Sequence, residues 1–569
     1  MDFLPKVADA MEILIPGLQY MVSILLFIIR ILVPLLFILV VWRCFSSMQK
    51  GRRREDPVVM LEDTYSHAKI PVLYWENSIG REKTCDISLP DDTISRDHAV
   101  LMRRESGWII TDTGSKSGTY LNRHEISGDT EVLPGDVISV GSASLKLTRV
   151  SDADQKKQPR RRVRAASPAK LMWVTTLILF LLALQCCLRG GTVAYEPLIP
   201  FALLMVLGWG FYLFSRKALG RVSFELETLG LLLSGTGVML LYGDDPSTAY
   251  TQLAAMFLGI LLFCFLIWFM GDLDRVTAWR LPIGIAAILL FGLTLVIGSE
   301  INGAQNWIII GPLSIQPSEL IKIAFIFAGA STLNKLQTAK NLTEFIVFAA
   351  ICIGFLFFMH DFGTAVIFFV TFLIIAFMRS GSIRTIVLVC SAAVIGLFLI
   401  LQFKPYVADR FAGWGHIWED PANTGYQQTR VLTYSASGGL FGMGLGNGYL
   451  KEVFAGNSDL VFGMLCEELG LLLALSIIAC LALFVIYTLS DVTRSRSTFY
   501  SISSCAAAGM LLFQACVNVF GATDVLPLTG VTLPFISAGG SSMIGVWGLL
   551  AFIKASDERT YAARRRKSG

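Results

Sequence analysis

Between two long apolar segments, residues 404–460 form a polar insertion, KPYVADRFAGWGHIWEDPANTGYQQTRVLTYSASGGLFGMGLGNGYLKEVFAGNSDL. It carries the adjacent acids Glu419 and Asp420, the arginines Arg410 and Arg430, the flat rings of Trp414, Trp418 and Tyr426, and a glycine run from Gly438 to Gly448. A carboxylate placed here can take the proton of an attacking hydroxyl. A guanidinium can stabilise negative charge as it develops on a leaving group. At a membrane boundary this set suits a lipid-linked, phosphate-bearing substrate. Plainer roles stand beside these. Asp420 precedes Pro421, where an acid serves equally well in a turn or helix cap. Glu419 is its rival as a base, and interfacial anchoring is the commoner use of Trp and Tyr.

Three more stretches interrupt apolar runs with chemistry-bearing residues. In QPSELIK, Lys322 lies one turn into an apolar helix, three residues after Glu319. A lone lysine at such a depth costs about 3 kcal/mol, so it must pair or face a polar cavity. Glu319 is its local partner, and an ion pair that merely orients helices is the alternative. In MHDFGTA, Asp361 sits at a break between two apolar runs, as a simple interfacial turn or as a ligand for a cation or substrate. The segment from Asp524 to Met543, DVLPLTGVTLPFISAGGSSM, offers backbone N–H groups at a helix entry that can receive an anion. A tight re-entrant turn accounts for it equally.

The elements that must position these residues are membrane spans. The chain has 569 residues, 54% of them hydrophobic and 16% charged, which is far too apolar for a soluble protein of this length. Apolar runs at about 21–41, 171–188, 198–214, 223–243, 250–270, 282–298, 317–333, 343–359, 361–378, 383–403, 460–489, 498–519 and 536–555 give about thirteen spans. Basic residues fall on every second connection, including Arg216, Lys217, Arg275, Arg280, Arg379, Arg384, Arg494 and Arg496. The positive-inside rule then puts the amino terminus outside and the carboxyl terminus in the cytoplasm. It also puts 299–316, the turn at His360–Asp361, 404–459 and 520–535 on the outer face. The first run is followed, not preceded, by a basic cluster, Arg52 to Arg54, which marks an uncleaved anchor over 1–56. Eleven scattered cysteines show neither a disulfide framework nor metal-type spacing. The glycine run lacks the lysine of a phosphate-binding loop, so a flexible or re-entrant segment is expected there.

Residues 57–150 have another texture, with short alternating runs separated by Gly, Pro, Asp and Ser, the pattern of an all-β sandwich. The strings GREKTCDISLPDDTISRDHAVL, DTGSKSGTYLN and LPGDVISVG closely resemble the forkhead-associated (FHA) domain. That resemblance implies phosphothreonine binding, with Arg81 on the phosphate, Ser95 adding a hydroxyl contact, Arg96 beside it and Ser117 facing the peptide backbone. His98 matches the family's structural histidine. The polar, arginine-bearing stretch 151–170 is a basic cytoplasmic linker whose plainest role is a topology signal, with contact to lipid headgroups as the alternative.

GAQNWI–QPSELIK, HDFGTA, WEDPANTGYQQ, GLFGMGLGNG, DLVFGMLCEELG and LTGVTLPFISAGGSSM occur in that order across 223–555. Together they resemble the motif set of the SEDS proteins (FtsW, RodA and SpoVE), which act in bacterial elongation, division and sporulation. The resemblance implies a ten-span glycosyltransferase core that polymerises lipid II into peptidoglycan strands at the outer face of the bacterial cytoplasmic membrane. It implies Asp420 as the catalytic carboxylate of the large loop, with Glu319, Lys322 and Asp361 as polar core positions. Arg410 and Arg430 are further candidates for the diphosphate. A divalent cation, Mg or Mn, held by acids such as Asp361 is possible chemistry that the sequence does not place. The implied partners are lipid II, a class B penicillin-binding protein with transpeptidase activity, membrane lipids and, for the FHA domain, a phosphothreonine protein; nucleic acid is not among them. The expected fold is therefore a polytopic α-helical membrane protein, a ten-span core plus about three extra spans, with a cytoplasmic all-β sandwich. The expected divisions are 1–56, 57–150, 151–170, two accessory spans in 171–222, the core in 223–555 and a basic tail in 556–569. A lipid II flippase and a catalytically silent cell-wall scaffold are the alternative functions.

Overall fold

The structure is a computed structural model. It describes every residue except 1–2, 51–58, 73–75, 83–84, 104–106, 150–166, 190–193, 220–222, 302, 311–312, 332–338, 381–382, 385–386, 388, 392–393, 395–413, 493–494, 496, 558–559 and 561–569. Most of the span expected at 383–403, most of the linker 151–170, Arg410 and most of the basic tail lie outside the described residues.

The first helix, α1 (Phe3–Lys50), does more than anchor. Ile29, Val33, Phe37, Val40, Cys44 and Met48 are buried, at spacings of three and four that trace one helical face. That face packs on the bundle, and the opposite one, with Phe27, Leu35 and Trp42, is exposed as lipid contact requires.

Eleven strands follow: β1 (Val59–Asp63), β2 (Lys69–Val72), β3 (Glu76–Gly80), β4 (Ile87–Ser88), β5 (Ala99–Arg103), β6 (Trp108–Asp112), β7 (Thr119–Leu121), β8 (His124–Glu125), β9 (Thr130–Val132), β10 (Val137–Val140) and β11 (Ala143–Arg149). They form two sheets, ordered β2-β1-β11-β10-β7-β8 and β4-β3-β5-β6-β9. Period-two alternation sends Leu61, Ile79, Leu101, Ile110, Ile138, Leu145 and Leu147 into the shared interior, all of them essentially inaccessible. The expected sandwich is present.

The helical bundle comprises α2 (Pro168–Cys187), α3 (Leu198–Lys217), α4 (Glu225–Asp244), α5 (Pro246–Phe269), α6 (Leu273–Ile297), α7 (Pro317–Ala330), α8 (Ala339–Phe358) and α9 (Phe362–Ser380). It continues with α10 (Tyr426–Gly438), α11 (Val461–Glu468), α12 (Leu471–Asp491), α13 (Thr498–Ala522) and α14 (Gly540–Ser556). Among the described residues nine helices are long and apolar enough to cross a membrane, and α14 and the apolar part of α8 are shorter. Helix α4 lies at the centre, buried along nearly its whole length.

Three features depart from the expected spans. A small antiparallel sheet, β12 (Ser299–Ile301), β13 (Ala304–Ile310) and β14 (Leu313–Ile315), fills the loop before α7. Helix α7 has 14 residues, a length of about 21 Å against a hydrocarbon thickness of about 30 Å. The single span expected at 460–489 is instead two helices, α11 and α12, broken at Gly470, whose φ is 89°. The break is possible because the glycine run supplies the missing partners. Met443 and Gly444 amides donate to the Glu467 and Glu468 carbonyls, and the first amides of α12, Leu471 and Leu472, donate to the carbonyls of Gly439 and Leu440. Of the flexible or re-entrant segment expected here, the structure shows a hydrogen-bonded, packed run. A Cβ at Gly438 or Gly442 would lie 2.2 Å from a backbone oxygen of Cys466 or Glu468, so these glycines permit close packing.

At the end of the bundle where α4 begins, Lys554 is buried and donates to Glu227 (2.9 Å) and to the carbonyl and hydroxyl of Ser223 (both 3.0 Å). The sandwich touches the bundle at this end. The Glu76 carboxylate accepts hydrogen bonds from the Thr498 amide (3.0 Å) and hydroxyl at the first turn of α13.

Candidate active site

The opposite end of the bundle holds a cavity of about 900 Å³. Glu319, Lys322 and Asp361 all line it, together with Asn306, Gln316, Asn457, Asp459 and Asp524. The sequence separates these residues by more than 200 positions; the short α7 and the N-terminus of α9 bring the first three to one wall.

Pro317 starts α7 and Glu319 follows in its first turn, so the i,i+3 spacing aims Lys322 back at Glu319. The Lys322 Nζ donates to Glu319 Oε1 at 2.8 Å and to Gln514 Oε1 of α13 at 2.9 Å. Gln514 then donates through Nε2 to the carbonyl and hydroxyl oxygens of Thr532, and the Thr532 hydroxyl meets Ser542 Oγ at 2.9 Å. Lys322 is 1% exposed on its side chain and Glu319 6%. The lysine is thus a buried, paired cation at the floor of a polar cavity.

Asp361 caps α9, with Oδ1 accepting from the Thr364 amide (3.1 Å). Its Oδ2 accepts from Asn306 Nδ2 (2.7 Å) and Gln316 Nε2 (3.4 Å). It is both the turn acid and a cavity wall. His360, Ala455 and Asp524, three of the non-glycine residues with positive φ, also line the cavity, so strained backbone collects around it.

Asp420 stands at the rim rather than in the wall. It lies in a turn just before α10, with Oδ1 accepting from Asn423 (3.0 Å) and Oδ2 facing the Thr424 amide and hydroxyl (both 3.4 Å). Its neighbours Trp414, Thr424, Gln427 and Gln428 do line the cavity. The turn is pinned from below, since Trp414 Nε1 donates to the Val525 carbonyl (3.2 Å) and the Gly415 amide to Asp524 (3.3 Å). Glu419 points elsewhere, to His416 Nδ1 at 2.9 Å. Arg430, in the second turn of α10, lies over the Tyr426 ring, 5.2 Å from its centroid, and is not among the lining residues.

Sequence reasoning missed Asp459 and Asp524. Asp459 sits just before α11, and the carbonyl of the same residue accepts from Asn518 Nδ2 at 2.8 Å. Burial pushes its carboxyl up to about 6. Its signal in the sequence was an acid ending a polar stretch, which many surface turns share. The folded state therefore binds this proton more tightly than the unfolded chain does. The resulting stabilisation is complete below about pH 4 and is lost as pH rises through about 6. Asp459→Asn is expected to raise the melting temperature at pH 7.5 and to leave it nearly unchanged at pH 4. Equal shifts at both pH values in a thermal-denaturation series would contradict this.

Among the described lining residues the acids Glu319, Asp361, Asp459 and Asp524 outnumber the one lysine. No group of three or more His, Cys, Asp or Glu able to hold a metal ion occurs among the described residues. Asp361, the acid expected to hold a cation, has both oxygens engaged by Asn306, Gln316 and the Thr364 amide.

The sandwich carries a second site. Arg81, at the end of β3 opposite Glu76, donates its amide to the Ser95 carbonyl (3.0 Å), and its guanidinium pairs with the exposed Asp92. Ser95 Oγ accepts from the Lys116 amide (3.0 Å) and Ser117 Oγ donates to the Thr93 carbonyl (3.0 Å). His98 is buried, accepts at Nδ1 from the Ser95 amide and reaches the Gly118 carbonyl through Nε2. Arg81, Ser95, Arg96 and Ser117 are thus grouped by one set of loops, and Arg96 is exposed among them. Lys116 is an exposed cation in this group that the sequence reading left out.

A polar cavity at one end of a many-helix bundle, with a β-sandwich on the other end, defines a polytopic membrane protein with an attached binding module. The chain belongs to the FtsW/RodA/SpoVE family of cell cycle proteins, whose model matches residues 219–561; the FHA domain model matches residues 77–141. It is similar to the probable peptidoglycan glycosyltransferase FtsW of Wigglesworthia glossinidia brevipalpis, 30% identical over 362 residues that cover 60% of this chain and 93% of the relative. It is also similar to stage V sporulation protein E of Bacillus subtilis, 29% identical over 339 residues covering 57% and 91%. Among solved structures, a chain of a peptidoglycan synthase complex that coordinates polymerization and crosslinking aligns with a TM-score of 0.50 and 26% identity, over 61% of this chain and 99% of that one.

Proposed function

We propose that this protein is a peptidoglycan glycosyltransferase that polymerises lipid II at the outer face of the cytoplasmic membrane. The observation that carries this is the cavity, which gathers Glu319, Lys322 and Asp361 beneath the turn that bears Asp420, in a chain whose relatives are named for that activity. In the reaction Asp420 takes the proton of an acceptor sugar hydroxyl. The freed oxygen attacks the anomeric carbon of the donor, the bond from that carbon to the diphosphate breaks, and undecaprenyl diphosphate leaves with the electron pair. Lys322 supplies positive charge from the cavity wall toward the diphosphate; Arg410 and Arg430, each ten residues from Asp420 in the sequence, are further candidates, and Trp414 offers a flat face to a sugar. The acid-rich wall suits a divalent cation carried in on the diphosphate better than one held in a built site. A class B penicillin-binding protein is the proposed partner, since a matched structure is a complex joining polymerization and crosslinking.

The proposed topology places the amino terminus outside, and the FHA domain and carboxyl terminus in the cytoplasm. The contact of Glu76 with the end of α13 remote from the cavity supports it. The domain limits 57–150 and 223–555 belong to this proposal too. A flippase needs a polar path from face to face; among the described residues the end opposite the cavity carries the buried Lys554–Glu227 pair amid apolar side chains, which favours the polymerase reading.

The test is glycan formation from lipid II by the purified full-length chain, with and without a partner transpeptidase. Polymer is expected; none under either condition, with lipid II moved across vesicles instead, would replace the reading by transport. For the FHA domain, the phosphate-binding role of Arg81 predicts that Arg81→Ala weakens binding of a phosphothreonine peptide by at least about tenfold, the worth of one charge-assisted hydrogen bond. Calorimetry with phosphorylated and unphosphorylated peptides reads this, and equal binding of the two by wild type would refute it.

A further inference from the structure

Three polar side chains from the accessory helices converge on the glycine run of the core. Arg30 lies in the middle of the apolar stretch of α1, on the face that packs inward beside Ile29 and Val33. Its Nη1 donates to the Gly442 carbonyl at 3.5 Å, and a Cβ at Gly444 would come within 2.8 Å of its guanidinium. Gln185, buried near the end of α2, accepts from the Leu445 amide at 3.4 Å. Arg189, just past α2, donates to the Gly243 carbonyl at 3.0 Å and packs its guanidinium where a side chain at Gly446 would have to be.

The core grips the same run from the other side. The Gly446 amide donates to Glu468 Oε2 (2.7 Å), the Tyr449 and Leu450 amides donate to the Glu467 carboxylate (2.8 and 3.0 Å), and Lys451 Nζ donates to the Gly446 carbonyl (2.9 Å). Gly442, Gly444 and Gly446 have φ of 78°, 97° and 74°, so the path between the two grips is one that side-chain-bearing residues rarely adopt. An arginine within an apolar span is costly unless it meets polar groups, and Arg30 meets them in this run.

The run leads directly to the candidate base. Gly438, its first residue, ends α10 against Cys466 and Glu467. Helix α10 begins where the Gly425 amide donates to the Asp420 carbonyl at 3.0 Å. We infer that Arg30, Gln185 and Arg189 are positioning residues: the accessory helices hold the glycine run, and through α10 they set the Asp420 turn against the cavity. The accessory spans are then a working part of the polymerase. This rests on the proposed role of Asp420.

The test uses the full-length chain with Arg30→Met, Arg189→Met, the double variant and the milder Arg30→Lys. Hydrogen exchange at 442–450 is expected to rise by about tenfold or more in the double variant, because the run loses the guanidiniums packed against Gly442, Gly444 and Gly446 and can open more readily. Exchange in the β-sandwich and α14 should stay at the wild-type level, which shows the fold is kept. Polymerisation should lose about 10–100-fold in kcat with KM within about twofold, as for a catalytic group misplaced by about 1 Å. Arg30→Lys, which keeps a donor, should recover most of the loss. Unchanged exchange at 442–450 overturns the inference, and so does raised exchange with kcat intact. Wild type without polymerase activity overturns the proposed function instead, and the exchange measurement still decides whether the accessory helices hold the run.

Discussion

Asp420→Asn is expected to lower the rate of glycan-chain formation by about 10²–10⁴-fold, the usual worth of a positioned general base. The substitution keeps the size of the side chain and an oxygen for Asn423 and Thr424, so the turn before α10 should stay in place. It removes the ability to take a proton. Substrate binding should therefore change little, and the loss should appear in kcat. Glu419→Gln is the matched control. Glu419 faces His416, and its loss should cost no more than about twofold, the effect of an exposed pair. Equal losses from the two variants, or full activity in Asp420→Asn, would remove Asp420 from the chemistry while leaving the cavity in question open to another base such as Asp459.

Lys322→Met should be the most destabilising single change in the cavity. It leaves Glu319 buried beside an apolar side chain, and Gln514 loses the donor to its Oε1. Breaking a buried pair from one side costs about 3–5 kcal/mol. A lowered melting temperature and reduced yield in the membrane are the expected observations. The double variant Glu319→Gln with Lys322→Met removes the stranded charge and should regain a large part of the stability without regaining activity. If the double variant melts no higher than the single one, the cost lies in packing round Lys322 and not in the orphaned carboxylate. The two variants thus separate the structural share of the pair from its share in catalysis.

Much of this was legible because each signal was local. Period-two alternation and turn residues announced the sandwich, and the lengths of the apolar runs announced most of the spans. Glu319 and Lys322 declared themselves by lying three residues apart in an apolar helix, a spacing that fixes contact. Their third partner did not. Gln514 is 192 positions from Lys322, and nothing in the surrounding apolar sequence distinguishes it from any polar residue in a helix. Asp459 and Asp524 were missed for the same reason, since their shared cavity is formed by loops that meet only in three dimensions. The break at Gly470 was marked in the sequence only by the adjacent acids Glu467 and Glu468 inside an otherwise apolar run; the hydrogen bonds that permit it come from residues 24 and 32 positions earlier. The packing of the glycine run was not legible because composition cannot tell a segment that moves from one whose glycines lie against neighbouring backbone and side chains.

That crowding decides where reporters can be inserted. A polar, glycine-rich stretch between two spans is the usual choice for an epitope tag, a protease site or a cysteine label. In this chain Gly438 to Gly448 has no room even for methyl groups at several positions, and a tag there would disrupt the fold it was meant to report on. Residues 421–424 are exposed, but they abut the candidate base. Tyr65 and Ser66, in an exposed turn of the sandwich, offer a place for a label that leaves both the glycine packing and the cavity untouched.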